Sequence, residues 1–170
     1  MGQPKALMPL AGKPLIRHVI DAFQSAGEVG PIVVVTGHAA EQLSEILSPL
    51  PVHLVHNPAY ASGEMLSSVK QGVAAVLESA EPVDAFFIAL ADQPRISPQT
   101  ISLMCKAWSD SRPSVLLPTY RQKHGHPILL GAGDANEILS LPPEATLKSY
   151  TSRHAKHTLE LDVDDPAVQF

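Results

Sequence analysis

Four polar clusters fall where apolar segments of this chain stop: Gly2-Gln3-Pro4-Lys5, Asn57-Pro58 with Gly63 to Ser68, Asp92-Gln93-Pro94, and His124-Gly125-His126-Pro127. The third is the most informative. Asp84-Ala85-Phe86-Phe87-Ile88-Ala89-Leu90-Ala91 reads as a strand buried on both faces, of the kind found inside parallel sheets. It runs into Asp92, and Pro94 then stops it. In open α/β sheets, ligands bind outside the carboxyl ends of strands, so Asp92 is expected where a substrate or a metal sits. Read alone, it is equally a residue that caps a turn. A lone strand-end carboxylate suits Mg²⁺, which binds through one or two carboxylates plus phosphate oxygens and keeps several waters.

The other clusters have a similar double aspect. Lys5 can meet a phosphate as a point charge, or simply be a solvated surface lysine. Gly63, Ser67 and Ser68 lie at a helix start, where free N–H groups and hydroxyls bind an anion or nucleotide, or where a serine only caps. His124 and His126 have no other His, Cys or Glu at ligand spacing, so no zinc site is expected. They read as hydrogen-bonding loop residues, with Gly125 allowing close approach of the backbone to a ligand. The dinucleotide fingerprint, the P-loop and the hydrolase nucleophile elbow are all missing from the sequence.

The elements that carry these clusters alternate. A helix is expected from Pro14 to Ala26, with Leu15, Val19, Ala22 and Phe23 inward and Gly27 closing it. Strand 31–36, helix 39–47 and strand 52–56 follow, then helix 63–79, strand 84–91 and a helix from Ser97 to about Trp108. Ser97 is its N-cap and Pro98 its first residue. Such alternation predicts a parallel sheet with helices on both faces. Beyond Arg112 the texture changes: strands 114–118 and 127–130 flank a polar loop, Thr119 to Gly125. Helices near 132–139 and 145–154 then precede a strand at 158–163. One domain, 1–170, is expected.

The composition narrows the function classes. A net charge of −5, with no Lys/Arg cluster, argues against a nucleic-acid surface. Aromatic residues make up 5% of the chain, too few for a base-stacking platform along a single strand. One cysteine, Cys105, excludes a disulfide framework. No apolar run reaches a membrane span and no signal-peptide segment is evident, so the expectation is a cytoplasmic protein without a membrane partner.

Taken in order, the clusters resemble the MobA-like nucleotidyltransferases, especially the molybdenum cofactor cytidylyltransferase branch. The matching residues are Met1-Gly2-Gln3-Pro4-Lys5 with Leu7, Pro9, Gly12 and Lys13-Pro14-Leu15, then Val33-Val34-Val35-Thr36-Gly37. Asn57-Pro58, Gly63 to Val69, Leu90-Ala91-Asp92-Gln93-Pro94 and Gly125-His126-Pro127 complete the set. The resemblance implies a Rossmann-like, three-layer nucleotide-diphospho-sugar transferase fold. It implies nucleotidyl transfer from an NTP, CTP favoured, to the phosphate of molybdopterin or a similar acceptor, with release of pyrophosphate. By the same resemblance Lys5 contacts the triphosphate and Asp92 holds Mg²⁺; both are the catalytic residues. Asn57, Gly63, Ser67 and Ser68 line the nucleotide site, and Gly125, His126 and Pro127 face the acceptor. A molybdoenzyme is a further implied partner.

The chain departs from the family pattern at several points. The usual first strand and glycine-rich loop, L-A-A-G-x-S-x-R, precede M-G-x-x-K in the family, whereas the sequence begins at Met1-Gly2. The missing strand belongs in mid-sheet, so the expectation is a fragment of a longer protein, with a naturally shortened relative as the alternative. A second metal-binding acid, from the pattern D-I-D-T-P-E-D, is expected past Asp165-Pro166. Glu64 is an extra residue that shifts the serine register by one. Two other functions stay open: a catalytically weak nucleotide-binding or molybdoenzyme accessory domain, and a sugar-1-phosphate nucleotidyltransferase.

Overall fold

A computed structural model describes residues 4–61, 65–79 and 82–169. A 3-10 turn, Lys5–Leu7, leads into a short antiparallel pair, β1 (Pro9–Leu10) and β2 (Lys13–Pro14). Then follow α1 (Leu15–Ala26), β3 (Ile32–Thr36), α2 (Ala40–Leu47), β4 (Val52–His56), α3 (Met65–Leu77), β5 (Ala85–Ile88) and α4 (Pro98–Ser111). Next come β6 (Val115–Tyr120), β7 (Lys123–His124), β8 (Ile128–Gly131), α5 (Ala135–Ser140), α6 (Leu147–Arg153) and β9 (Thr158–Asp162). The architecture is α/β, as the alternation predicts. Two compact units divide it: Met1–Gly30, Phe87–Leu130 and Thr158–Phe170 form one, Pro31–Phe86 and Gly131–His157 the other.

In the first unit β6 is the central strand, and Val115 to Thr119 are all buried. β9 runs parallel to it from Val115↔Thr158 to Thr119↔Asp162. β8 pairs antiparallel at Val115 and Leu116, and β7 at Thr119 and Tyr120. Pro118 lacks an N–H and so reads as a strand terminus. The strand nevertheless continues, because Pro118 faces the interval between β7 and β8, where only its carbonyl is engaged, by Gly125 N–H at 2.9 Å. The loop expected from Thr119 to Gly125 is therefore a β6–β7 hairpin. Its two turn residues, Arg121 and Gln122, both have positive φ, 50° and 65°. That geometry favours Asn-Gly, so two long side chains conceal the turn in the sequence.

α1 buries Ile16, Val19, Ile20, Ala22 and Phe23, one stripe wider than the expected face, and leaves Leu15 half-buried. Phe23 meets Phe87 edge-on at 5.3 Å. Ser97 caps α4 as expected, accepting the Thr100 N–H at 3.1 Å. The helix runs a turn past Trp108 and ends where Arg112, in the left-handed region, lays its guanidinium over the Trp108 ring at 4.4 Å.

In the second unit β3 and β4 pair in parallel along their whole length, Ile32↔Val52 to Thr36↔His56. α3 packs against β3 and β4, and α2 against β4, burying Leu43, Leu47, Leu66, Val69 and Val73. Ile138, Leu147 and Tyr150 supply the buried side of α5 and α6.

β5 corrects one expectation. The segment 84–91 is strand only over Ala85–Ile88, and of these only Phe86 is buried. Among the described residues β5 adjoins β8 alone and β3 adjoins β4 alone. Phe87 and Ile88 are half-buried, so the strand is not covered on both faces as expected. No helix among the described residues is long and apolar enough to cross a membrane.

Candidate active site

Asn57 organises the carboxyl ends of β3 and β4. It is 1% exposed, and its N–H donates to the Thr36 carbonyl at 2.8 Å. Its Nδ2 donates to the Ser67 and Ser68 hydroxyls at 2.9 and 3.0 Å, and its Oδ1 accepts the Ala59 N–H at 3.0 Å. The side chain thus ties the first turn of α3 to the end of β4. Asn57, Ser67 and Ser68 are brought together, whereas Gly63 and Glu64 lie outside the described residues. Asn57→Ala strips three hydrogen bonds from a buried site and is expected to lower stability by about 2 kcal/mol in urea unfolding. An unchanged midpoint would show that the two serines hold α3 in place without it.

An aromatic group beside this clamp escaped the sequence reading. Tyr60 lies 6.2 Å from His38 and 6.0 Å from His56, ring to ring, at the carboxyl ends of the same two strands. Its Cβ sits so close to Gly37 that a Cβ there would approach to 2.7 Å. The signal was available: His38, His56 and Tyr60 all fall within a few residues of a strand end, with Gly37 among them.

In the first unit, Asp92 is exposed in a turn beyond the end of β5, and Lys5 is exposed in the first 3-10 turn. Among the described residues no hydrogen bond or ion pair engages either side chain. Among the described residues no contact joins Lys5 to Asp92.

Asp162-Val163-Asp164-Asp165-Pro166 already has the acid–apolar–acid–X–proline order of the pattern sought beyond Pro166. Asp162 closes β9 and is exposed, 3.5 Å from the Thr119 hydroxyl; Asp164 is also exposed. Asp165 has structural work instead. Its Oδ2 accepts from Ser97 N–H at 3.1 Å and Thr100 hydroxyl at 2.8 Å, and its Oδ1 from Ala167 N–H at 3.0 Å.

Gly125, His126 and Pro127 pack against the chain's own C-terminal turn. His126 N–H donates to the Val168 carbonyl at 2.7 Å. The close approach that Gly125 permits is to that same carbonyl. Pro127 is buried and His126 half-buried. Next to them, His124 lies in β7 with Nε2 2.7 Å from the Glu160 carboxylate, a hydrogen-bonding role as expected.

Burial lowers the His126 pKa below its ordinary 6.5. The unfolded chain then binds a proton that the folded chain refuses, so stability is lost as pH falls below about 6.5. His126→Gln is expected to flatten the decline in Tm between about pH 7 and pH 5. An identical decline in both proteins would assign it to other groups.

An exposed strand-end carboxylate such as Asp92 or Asp162 is a hard oxygen donor, suited to Mg²⁺ or Mn²⁺ rather than a thiophilic metal. The helix start held by Asn57 offers hydroxyl donors for a phosphate or sugar oxygen.

Comparison with known proteins identifies the family. The chain is similar to the bifunctional protein GlmU of Legionella pneumophila subsp. pneumophila, with 35% identity over 113 residues, 65% of this chain and 22% of that protein. The chain therefore spans about a quarter of the length of the curated relatives it matches. Among solved structures, a nucleotidyl transferase from Methanothermobacter superposes with a TM-score of 0.76 at 25% identity, covering 95% of this chain and 76% of that one. Rv0371c of Mycobacterium tuberculosis H37Rv, in complex with manganese, superposes at 0.73 and 17% identity, covering 95% and 83%. The model of the MobA-like NTP transferase domain matches residues 1–158, and the chain belongs to that family of nucleotidyltransferases.

Proposed function

We propose that the protein transfers a nucleotidyl group from an NTP, with CTP as donor, to the phosphate of a molybdopterin-type acceptor. An acceptor phosphate oxygen forms the new bond to the α-phosphorus. The bond between that phosphorus and the oxygen bridging to the β-phosphorus breaks, and pyrophosphate leaves. The observation that carries this reading is two exposed strand-end carboxylates, Asp92 beyond the end of β5 and Asp162 at the end of β9, in a chain of this family.

Asp92 and Asp162, with Asp164 alongside, are the residues to hold a divalent cation, Mg²⁺ in this reading. The manganese held by the similar Rv0371c supports a dication of that kind. When bound, such an ion neutralises charge on the phosphates. Lys5 adds a point charge for the triphosphate, and Ser67 and Ser68, held by Asn57, bind the nucleotide. Tyr60 with His38 and His56 offers a face on which a base can stack. Gly125, His126 and Pro127 form the acceptor side. Residues of these kinds position the reactants and stabilise developing charge, which is most of what the reaction asks of a protein. A single cysteine agrees with a cytoplasmic setting.

The test measures pyrophosphate release from purified protein with Mg²⁺ or Mn²⁺, each NTP in turn, and molybdopterin or a sugar 1-phosphate. Release that needs molybdopterin and is fastest with CTP is the expected result. Release only with a sugar 1-phosphate would reassign the acceptor. No release, with an NTP still retained in equilibrium dialysis, would reduce the protein to a nucleotide-binding or accessory domain.

A further inference from the structure

Within the second unit, three metal-ligating side chains that the proposed reaction does not use converge. The 3-10 turn Ala132–Asp134 passes into α5, so Asp134 and Glu137 stand one turn apart. His154 ends α6, and one ligand atom from each of Asp134, Glu137 and His154 lies within 4.8 Å of the other two. His154 Nε2 is 3.0 Å from Glu137 Oε2. Arg153 reaches the same carboxylate at 3.6 Å from the exposed side.

A second, independent feature makes this more than an ion pair. Tyr150 is fully buried one turn before His154, with its ring 4.4 Å from the imidazole. Its hydroxyl is shut away from solvent and makes no close hydrogen bond among the described residues, with the Asp134 carboxylate the nearest candidate to receive it. Native proteins rarely tolerate such a group, because it loses water and gains nothing. The Asp134 and Glu137 carboxylates both act on this hydroxyl, which places it on their side of the cluster.

We propose that Asp134, Glu137 and His154 bind a transition-metal dication of the Zn²⁺ or Co²⁺ class, with the Tyr150 hydroxyl orienting the Asp134 carboxylate. One imidazole and two carboxylates select such ions over Mg²⁺ and Ca²⁺, which take oxygen ligands alone. Ligand atoms in a tetrahedral site with bonds of about 2.0–2.1 Å lie roughly 3.3 Å apart, so the two carboxylates close inward on binding. As they close, an Asp134 oxygen comes within reach of the Tyr150 O–H. Second-sphere donors of this kind hold metal-binding carboxylates in orientation. A fourth position is left to water.

The experiment titrates metal-free protein with Co²⁺, following the visible absorption of the ion and the thermal midpoint. Wild-type protein is expected to develop a saturable one-to-one spectrum and a rising Tm. Glu137→Gln and His154→Gln should each weaken binding more than tenfold, and Tyr150→Phe about tenfold. Asp92→Asn should leave the spectrum unchanged, which separates this site from the one proposed for catalysis. Each variant is checked for folding by its metal-free Tm, and Glu137→Gln, altering an exposed side chain, keeps the test decisive if Tyr150→Phe perturbs packing. No saturable spectrum in wild type, or equal binding in Glu137→Gln and His154→Gln, would overturn the proposal.

Discussion

Asp92→Asn is expected to lower metal-dependent pyrophosphate release by about 10²–10³-fold or more, the range for losing one pre-organised electrostatic contact in a transition state. Folding should survive it. The carboxylate is exposed and bonded to nothing among the described residues, so stability should move by less than about 0.5 kcal/mol. An isosteric amide keeps the shape of the turn and removes only the charge. The loss should therefore fall in kcat more than in the nucleotide KM, and raising the Mn²⁺ concentration should recover part of it if Asp92 acts through a metal. Asp162→Asn should follow the same pattern. If Asp92→Asn turns over at the wild-type rate, Asp92 is a turn residue and the proposed metal site is wrong. If Asp92→Asn is inactive but also unfolds, the lost activity says nothing of metal binding; intact folding with lost turnover is the required combination.

Much of the fold was legible because the sequence states it twice, in hydrophobic period and in punctuation. β3 and β4 are β-branched runs ended by Gly37 and by Asn57-Pro58, and α4 carries both its Ser97 cap and Pro98. Where period and punctuation disagreed, the reading failed. Pro118 signalled an end inside a strand that continues, and Arg121-Gln122 gave no turn signal at all. The site was legible residue by residue but not in its connections. Asn57 could be picked out as polar at a strand end, yet its hold on Ser67 and Ser68 depends on how α3 docks, which no local pattern encodes. Asp165 shows the reverse. Its neighbours in sequence suggest metal chemistry, but Ser97 and Thr100, more than sixty residues away, engage it in capping α4. The similar acid order from Asp162 to Pro166 is less visible for a simpler reason: the apolar alternation of β9 carries straight into Asp162.

Gly125→Ala is the substitution expected to damage the fold most. A Cβ at this position would lie 2.1 Å from the Val168 carbonyl oxygen, 2.7 Å from its carbon and 2.9 Å from its Cβ. The obstacle is backbone, so no rotamer change relieves it. Val168 is itself fully buried, and its carbonyl accepts the His126 N–H. The C-terminal turn is pinned on both sides of Val168. Ala167 N–H reaches Asp165, and Gln169 Nε2 donates to the carbonyls of Tyr120 and Lys123 at 2.6 and 3.0 Å. To admit one methyl group, either the hairpin or the turn must withdraw, breaking the His126 bond and opening a cavity at Val168. Overpacking plus a lost buried hydrogen bond amounts to about 3 kcal/mol or more, a large part of the margin of a small domain. The expected result is a Tm lower by roughly 10 °C or more, with protection of the His126 amide against hydrogen exchange lost first. Gln169→Ala, which loosens the same turn from its outer side, should cost about 1 kcal/mol and leave that amide partly protected. A Gly125→Ala protein with wild-type Tm would mean that the C-terminal turn is not fastened to the β6–β7 hairpin. The proposed acceptor side would then lack the support that holds His126 and Pro127 in place.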